Sequence, residues 1–144
     1  GTLATEDAFL SLIWHEADDS RILTPLGKPR TLRDVVRRMA RDGLTIKNLT
    51  GRVRWLISRL LRRRYTRRWF LACLAIEADF RRDKFGTVVI RDANDGERRH
   101  SCGDFYLLDG CHRGLVYAYL IAHGTVPYAP VDVLWIEPDP HAAT

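Results

Sequence analysis

The stretch from Thr87 to Ile136 constrains the fold most, because glycines and turn residues cut it into pieces too short for anything but single strands and one helix. Gly86 resets the chain, and the β-branched run Thr87 to Ile90 has strand character. Asn94, Asp95 and Gly96 form a turn signal. A polar loop from Glu97 to Asp104 leads into a second strand, Phe105 to Leu108, then a helix from Cys111 to Ala122 closed by Gly124, then a strand from Val131 to Ile136. The order is β-β-α-β. Gly96-Glu97-Arg98-Arg99 falls in the polar stretch and is expected to be a solvated loop.

The preceding half has helical rather than strand periodicity. Thr5 caps a helix with Glu6 and Asp7 near the positive end of its dipole, and Phe9, Leu12, Ile13 and Glu16 carry its apolar face to the acidic turn Asp18-Asp19-Ser20. Pro25, Gly27 and Pro29 place a loop from Arg21 to Arg30, with a short extended piece at Ile22 and Leu23. Thr31 then caps a second helix with Asp34 three residues on, Leu32, Val35, Val36 and Met39 form its stripe, and Gly43 stops it. Asn48 or Thr50 caps a third, lined by Val53, Leu56, Ile57, Leu60 and Leu61. After a break near Tyr65 and Thr66, Trp69 to Phe80 reads as a buried helix on length.

At 144 residues the chain forms one domain, burying roughly 68–70% of its extended surface. The expected class is α+β, with residues 1–85 a mainly helical elaboration and residues 86–138 a small mixed-sheet core. The apolar run Trp69 to Ile76 is far shorter than the ~20 residues that cross a bilayer, so no membrane partner is expected, and a cytoplasmic setting follows. Cys73, Cys102 and Cys111 contain no C-x-x-C pair, and His100 and Cys102 with Cys111 and His112 match no standard metal-finger spacing.

Charge is segregated. The net +5 arises from 23 basic against 18 acidic residues, yet nine of the basic residues and no acid lie between Gly43 and Ile76. Arg52, Arg59, Arg62, Arg63, Arg64, Arg67 and Arg68, interleaved with Trp55, Tyr65 and Trp69, suit phosphate contacts with aromatic stacking, and so nucleic acid or an acidic protein as partner. The competing account is a solvated amphipathic face.

The densest chemistry is Asp109-Gly110-Cys111-His112-Arg113-Gly114, where a strand hands over to a helix. A helix N-terminus presents N–H groups and partial positive charge, Gly110 permits close approach of a ligand, and His112 and Arg113 add donors for an anion. Those features describe a phosphate cradle, although neither common phosphate-loop pattern occurs in the chain. The competing account is a tight turn, with Cys111 a small buried residue and Arg113 an exposed charge.

Gly103-Asp104-Phe105-Tyr106-Leu107-Leu108-Asp109-Gly110-Cys111-His112-Arg113, continued by the helix to Gly124, Val126-Pro127 and Val131-Asp132-Val133, resembles the ParB/sulfiredoxin superfamily over about 50 residues. The resemblance implies a ParB/sulfiredoxin-like fold and a nucleotide site, with ATP or another nucleotide held through its phosphates by Gly110, Cys111, His112, Arg113 and Gly114. Three branches differ in chemistry. The kinase-like branch, whose acidic D-G-x-H-R loop is the form present here, implies ATP-dependent phosphoryl transfer to an unnamed small-molecule or protein acceptor. Mg2+ would bridge the phosphates, His112 would help to neutralise them, and Asp109 would be acid/base or metal-associated. A further acid would come from Glu77, Asp79 or Glu97. The sulfiredoxin branch would make Cys111 a nucleophile, with a thiol pKa depressed by His112, Arg113 and the helix end; it has glycine where Asp109 stands. ParB proper binds CTP and DNA, and a non-enzymatic binding module with a nucleotide switch is the alternative of that kind. Gly96-Glu97-Arg98-Arg99 is similar to the G-E-R-R loop of ParB nucleotide sites, but precedes a strand.

Overall fold

The structure, a computed structural model, describes residues 1–14, 31–47, 64–99 and 103–137, with the backbone alone for 64–70. The strands are β1 (Thr2–Leu3), β2 (Ile13–Trp14), β3 (Val88–Asp92), β4 (Phe105–Asp109) and β5 (Val131–Trp135). The helices are α1 (Glu6–Leu10), α2 (Leu32–Arg41), α3 (Arg64–Ala78), α4 (Asp95–Arg99) and α5 (Cys111–Ala122), with a 3-10 turn at Arg82–Lys84. The class is α+β, with a mixed sheet of order β1-β5-β3-β4-β2.

The central part follows the expected β-β-α-β order, β3 pairing antiparallel with β4 and parallel with β5. The edges were not expected. Both come from the N-terminal half: β1 runs antiparallel to β5, and β2 runs parallel to β4 with Ile13 opposite Tyr106 and Trp14 opposite Leu107. The helix expected to continue through Ile13 instead ends at Leu10. The Ser11 hydroxyl donates to the Asp7 carbonyl at 2.7 Å, and Leu12, Ile13 and Trp14 are buried in succession. Three consecutive buried apolar residues suit a short extended segment covered on both faces better than one helical stripe.

Two other expectations change. Asn94 to Arg99 is largely exposed, as expected, but it starts a short helix and is not a turn and loop. The Asn94 side-chain oxygen accepts from the Glu97 N–H at 2.8 Å while the Glu97 carboxylate accepts from the Asn94 N–H at 2.7 Å, a reciprocal cap that starts α4. Nor does the chain break at Tyr65 and Thr66, which lie inside the continuous α3. The expected helix beginning at Asn48 or Thr50, the acidic turn at Asp18 to Ser20 and the extended piece at Ile22 lie outside the described residues.

One core joins both halves. Phe9, Trp14, Leu32, Met39 and Ile46 pack with Leu107, Leu115, Tyr117 and Val131. α5 packs against α2 and α3 and is buried on nearly every side from Gly114 to Ile121, which explains its uniformly apolar sequence. α2 carries the expected capping box, Thr31 accepting from the Asp34 N–H and Asp34 from the Thr31 N–H. Among the described residues, no helix is long and apolar enough to cross a membrane.

Candidate functional site

At one end of the sheet β4 gives way to α5, and the segments entering β3 and β5 gather around that junction. Asp109 closes β4 with its side chain exposed and lies opposite Val89, beside a register shift in β3. Gly110 follows with φ of 92°, a left-handed conformation that favours glycine. A Cβ there would stand 2.8 Å from Val88 Cγ1 and 3.1 Å from Arg113 Nη2, so the position demands glycine twice over. The Gly114 N–H donates to the Gly110 carbonyl at 2.7 Å and closes the first turn. Gly110 puts no side chain over the end of this 12-residue helix, where the dipole is positive and the first-turn N–H groups point outward along the axis.

Three side chains at the junction behave differently. Cys111 turns inward: it is 6% exposed, and its thiol donates to the Leu107 carbonyl across 3.7 Å. This is the geometry of a small core residue. His112 is half-buried, and burial pushes its imidazole below the ordinary histidine value while the charge of Asp109 pulls it partway back. Arg113 reaches across to the segment before β3. Its guanidinium donates to the Phe85 carbonyl and, at 3.3 Å, to the Thr87 carbonyl, and stands 5.6 Å from the centre of the Phe85 ring. Arg113 is thus tied to backbone rather than loose on the surface.

A second arginine, unremarked in the sequence, braces the same end. Arg82 donates to the carbonyls of Ala129 and Pro130 just before β5, and lies 5.4 Å from the Phe85 ring centre and 5.5 Å from that of Tyr117. Below, the Tyr117 hydroxyl accepts the Ala129 N–H at 2.8 Å and its ring stacks on Phe80 and Tyr128. The spacing of Arg82 and Phe85 in a basic, aromatic segment is the one sequence signal for this brace.

Of the remaining expected residues, Glu97 stands away from the junction. Glu97 is engaged by Arg91 beyond the opposite end of β3, where Asp92 pairs with Phe105. Glu77 lies in the last turn of α3, close enough to Tyr119 for its charge, after burial, to help raise the phenol above its ordinary value. Asp79 is exposed just beyond that helix. Arg64, Arg67 and Arg68 fall on α3, while Arg52, Arg59, Arg62, Arg63, His100 and Cys102 lie outside the described residues. An open depression of about 310 Å3, lined in part by Leu3, Asp7, Ser11 and Phe105, sits at the far end of β4 from Asp109.

Among the described residues no three His, Cys, Asp or Glu side chains converge as a metal-binding group. A magnesium ion at the junction would therefore draw most of its ligands from phosphate oxygens and water, with Asp109 as a carboxylate; that donor set fits the ion's preference for oxygen and its retained waters. No family model, no curated protein and no solved structure matches this chain.

Proposed function

We propose that this chain is a cytoplasmic nucleotide-binding domain that holds the phosphates of ATP or a related nucleotide at the N-terminus of α5. The observation that carries the reading is the strand-to-helix junction itself: β4 ends in an exposed carboxylate, a left-handed glycine follows, and a long buried helix begins with His112 and Arg113 in its first turn. The fixed helix end and adjacent guanidinium offer an anion preorganised N–H donors and positive charge. The loop's similarity to the acidic D-G-x-H-R form supports phosphoryl transfer as the activity, with Mg2+ neutralising the phosphates and Asp109 available to the metal or to the acceptor's hydroxyl proton. The inward thiol of Cys111 favours this chemistry over attack by that sulfur.

A thermal-shift panel of ATP, ADP, CTP and GTP, each with and without Mg2+, tests the reading. Binding to the folded state alone raises the melting temperature, by an amount set by about 2.7 kcal/mol at a hundredfold excess over Kd. A shift with at least one magnesium nucleotide is expected. Identical melting in all eight conditions would remove it.

A further inference from the structure

The two ties of Arg113 suggest more than attachment. Its guanidinium occupies a slot between two left-handed glycines: a Cβ on Gly86, whose φ is 77°, would stand 3.1 Å from Nη1, and a Cβ on Gly110 would stand 3.1 Å from Nη2. On one side of the slot are the carbonyls of Phe85 and Thr87; on the other is the start of α5. A guanidinium carries five donors in a fixed plane, and these carbonyls engage two of them. We infer that Arg113 couples the anion site to the segment 85–87, so that an anion bound at the α5 N-terminus tightens the entry into β3. This rests on the nucleotide-phosphate reading above and adds regulation to it.

The physical basis is bridging. An anion meeting the outer edge of the guanidinium restrains the group, and a restrained guanidinium holds the Phe85 and Thr87 carbonyls in one arrangement rather than several. Phe85 transmits the restraint, because its ring is buried and lies close to both Arg113 and Arg82, and Arg82 holds the carbonyls before β5. Ligand binding would thereby firm the segments entering two neighbouring strands. Lysine at 113 keeps the charge but, with a single compact ammonium, cannot reproduce the planar two-carbonyl fork.

Amide hydrogen exchange on the full chain, with and without inorganic pyrophosphate, tests the coupling while calorimetry reports binding separately. In the wild type, pyrophosphate is expected to slow exchange of the amides at 85–88 by about tenfold, the scale of one charge-assisted hydrogen bond. Arg113→Lys is expected to bind pyrophosphate more weakly and, at a pyrophosphate concentration that calorimetry shows to be saturating for the variant, to show no such slowing. Binding heat without altered exchange in the wild type overturns the coupling and leaves the anion site standing, as does equal slowing in the lysine variant. Absence of binding heat in the wild type overturns both. The wild-type comparison alone decides the matter should the variant fold poorly.

Discussion

Arg91 grips Glu97 with both arms of its guanidinium, Nη1 to Oε2 at 3.0 Å and Nη2 to Oε1 at 2.6 Å, and so fastens the short α4 to the end of β3. The same guanidinium lies 4.3 Å from the centre of the Tyr106 ring. Glu97 is 15% and Arg91 24% exposed, so water screens the pair only partly. Glu97→Ala removes the fork and the cap on the Asn94 N–H together, and is expected to cost about 2 kcal/mol, read as a lower midpoint in urea unfolding. Burial raises the Glu97 carboxyl, but the Arg91 hydrogen bonds, the Asn94 N–H and the Arg91 charge outweigh it and hold the group below its ordinary value. Its contribution is therefore present above the ordinary glutamate value and lost as pH falls through the lower folded one.

Gly110→Ala separates close packing from ligand approach. Alanine at a φ of 92° is strained, and its methyl would meet Val88 Cγ1 at 2.8 Å. Destabilisation of about 1–3 kcal/mol is expected in chemical unfolding, whether or not an anion is present. An unchanged midpoint would show that the junction differs from the one described.

The pH dependence of His112 has a definite sign. Burial favours the neutral ring in the folded chain, so as pH falls the unfolded chain takes up the proton first. Stability attached to this group is complete above the ordinary histidine value, about 6.5, and declines as pH drops from there through the lower folded value. An anion at the junction reverses the preference, so pyrophosphate should raise the His112 pKa and bind more tightly in mild acid. Titration of the His112 ring carbons by NMR, with and without pyrophosphate, checks both directions.

Tyr117→Phe keeps the ring stack and removes one oxygen. The Ala129 N–H then loses its acceptor at 2.8 Å, at an expected cost of about 1–2 kcal/mol. A loss outside the unfolding error and below that of Tyr117→Ala, which also opens a cavity among Phe9, Phe80 and Phe85, would match the geometry.

What could be read in the sequence was local. Thr31 and Asp34 cap each other within one turn, and α5 runs from Cys111 to Ala122 as its apolar pattern and Gly124 indicate. What could not be read depends on partners distant along the chain. Ile13 and Trp14 continue a helical pattern until Tyr106 and Leu107 supply a strand for them to join. Asn94-Asp95-Gly96 has turn composition, and only the reciprocal bonds of Asn94 and Glu97 convert it into a helix start. The junction residues at 109–114 stood out by type and order, but the commitment of Arg113 to the carbonyls of Phe85 and Thr87, and the inward thiol of Cys111, follow from packing that no spacing encodes.

The placement of β1 and β2 on opposite edges of the sheet bears on how the protein is made. Thr2 and Leu3 pair with Asp132 and Val131, so β1 leaves the ribosome well before β5 emerges to form its bonds. Ile13 and Trp14 wait for β4 in the same way. Pairings so distant in sequence carry a large loop-closure cost and slow the search, while the local helices can form early. During synthesis the nascent chain thus holds apolar edge segments without their strands, the interval in which a chaperone would matter most.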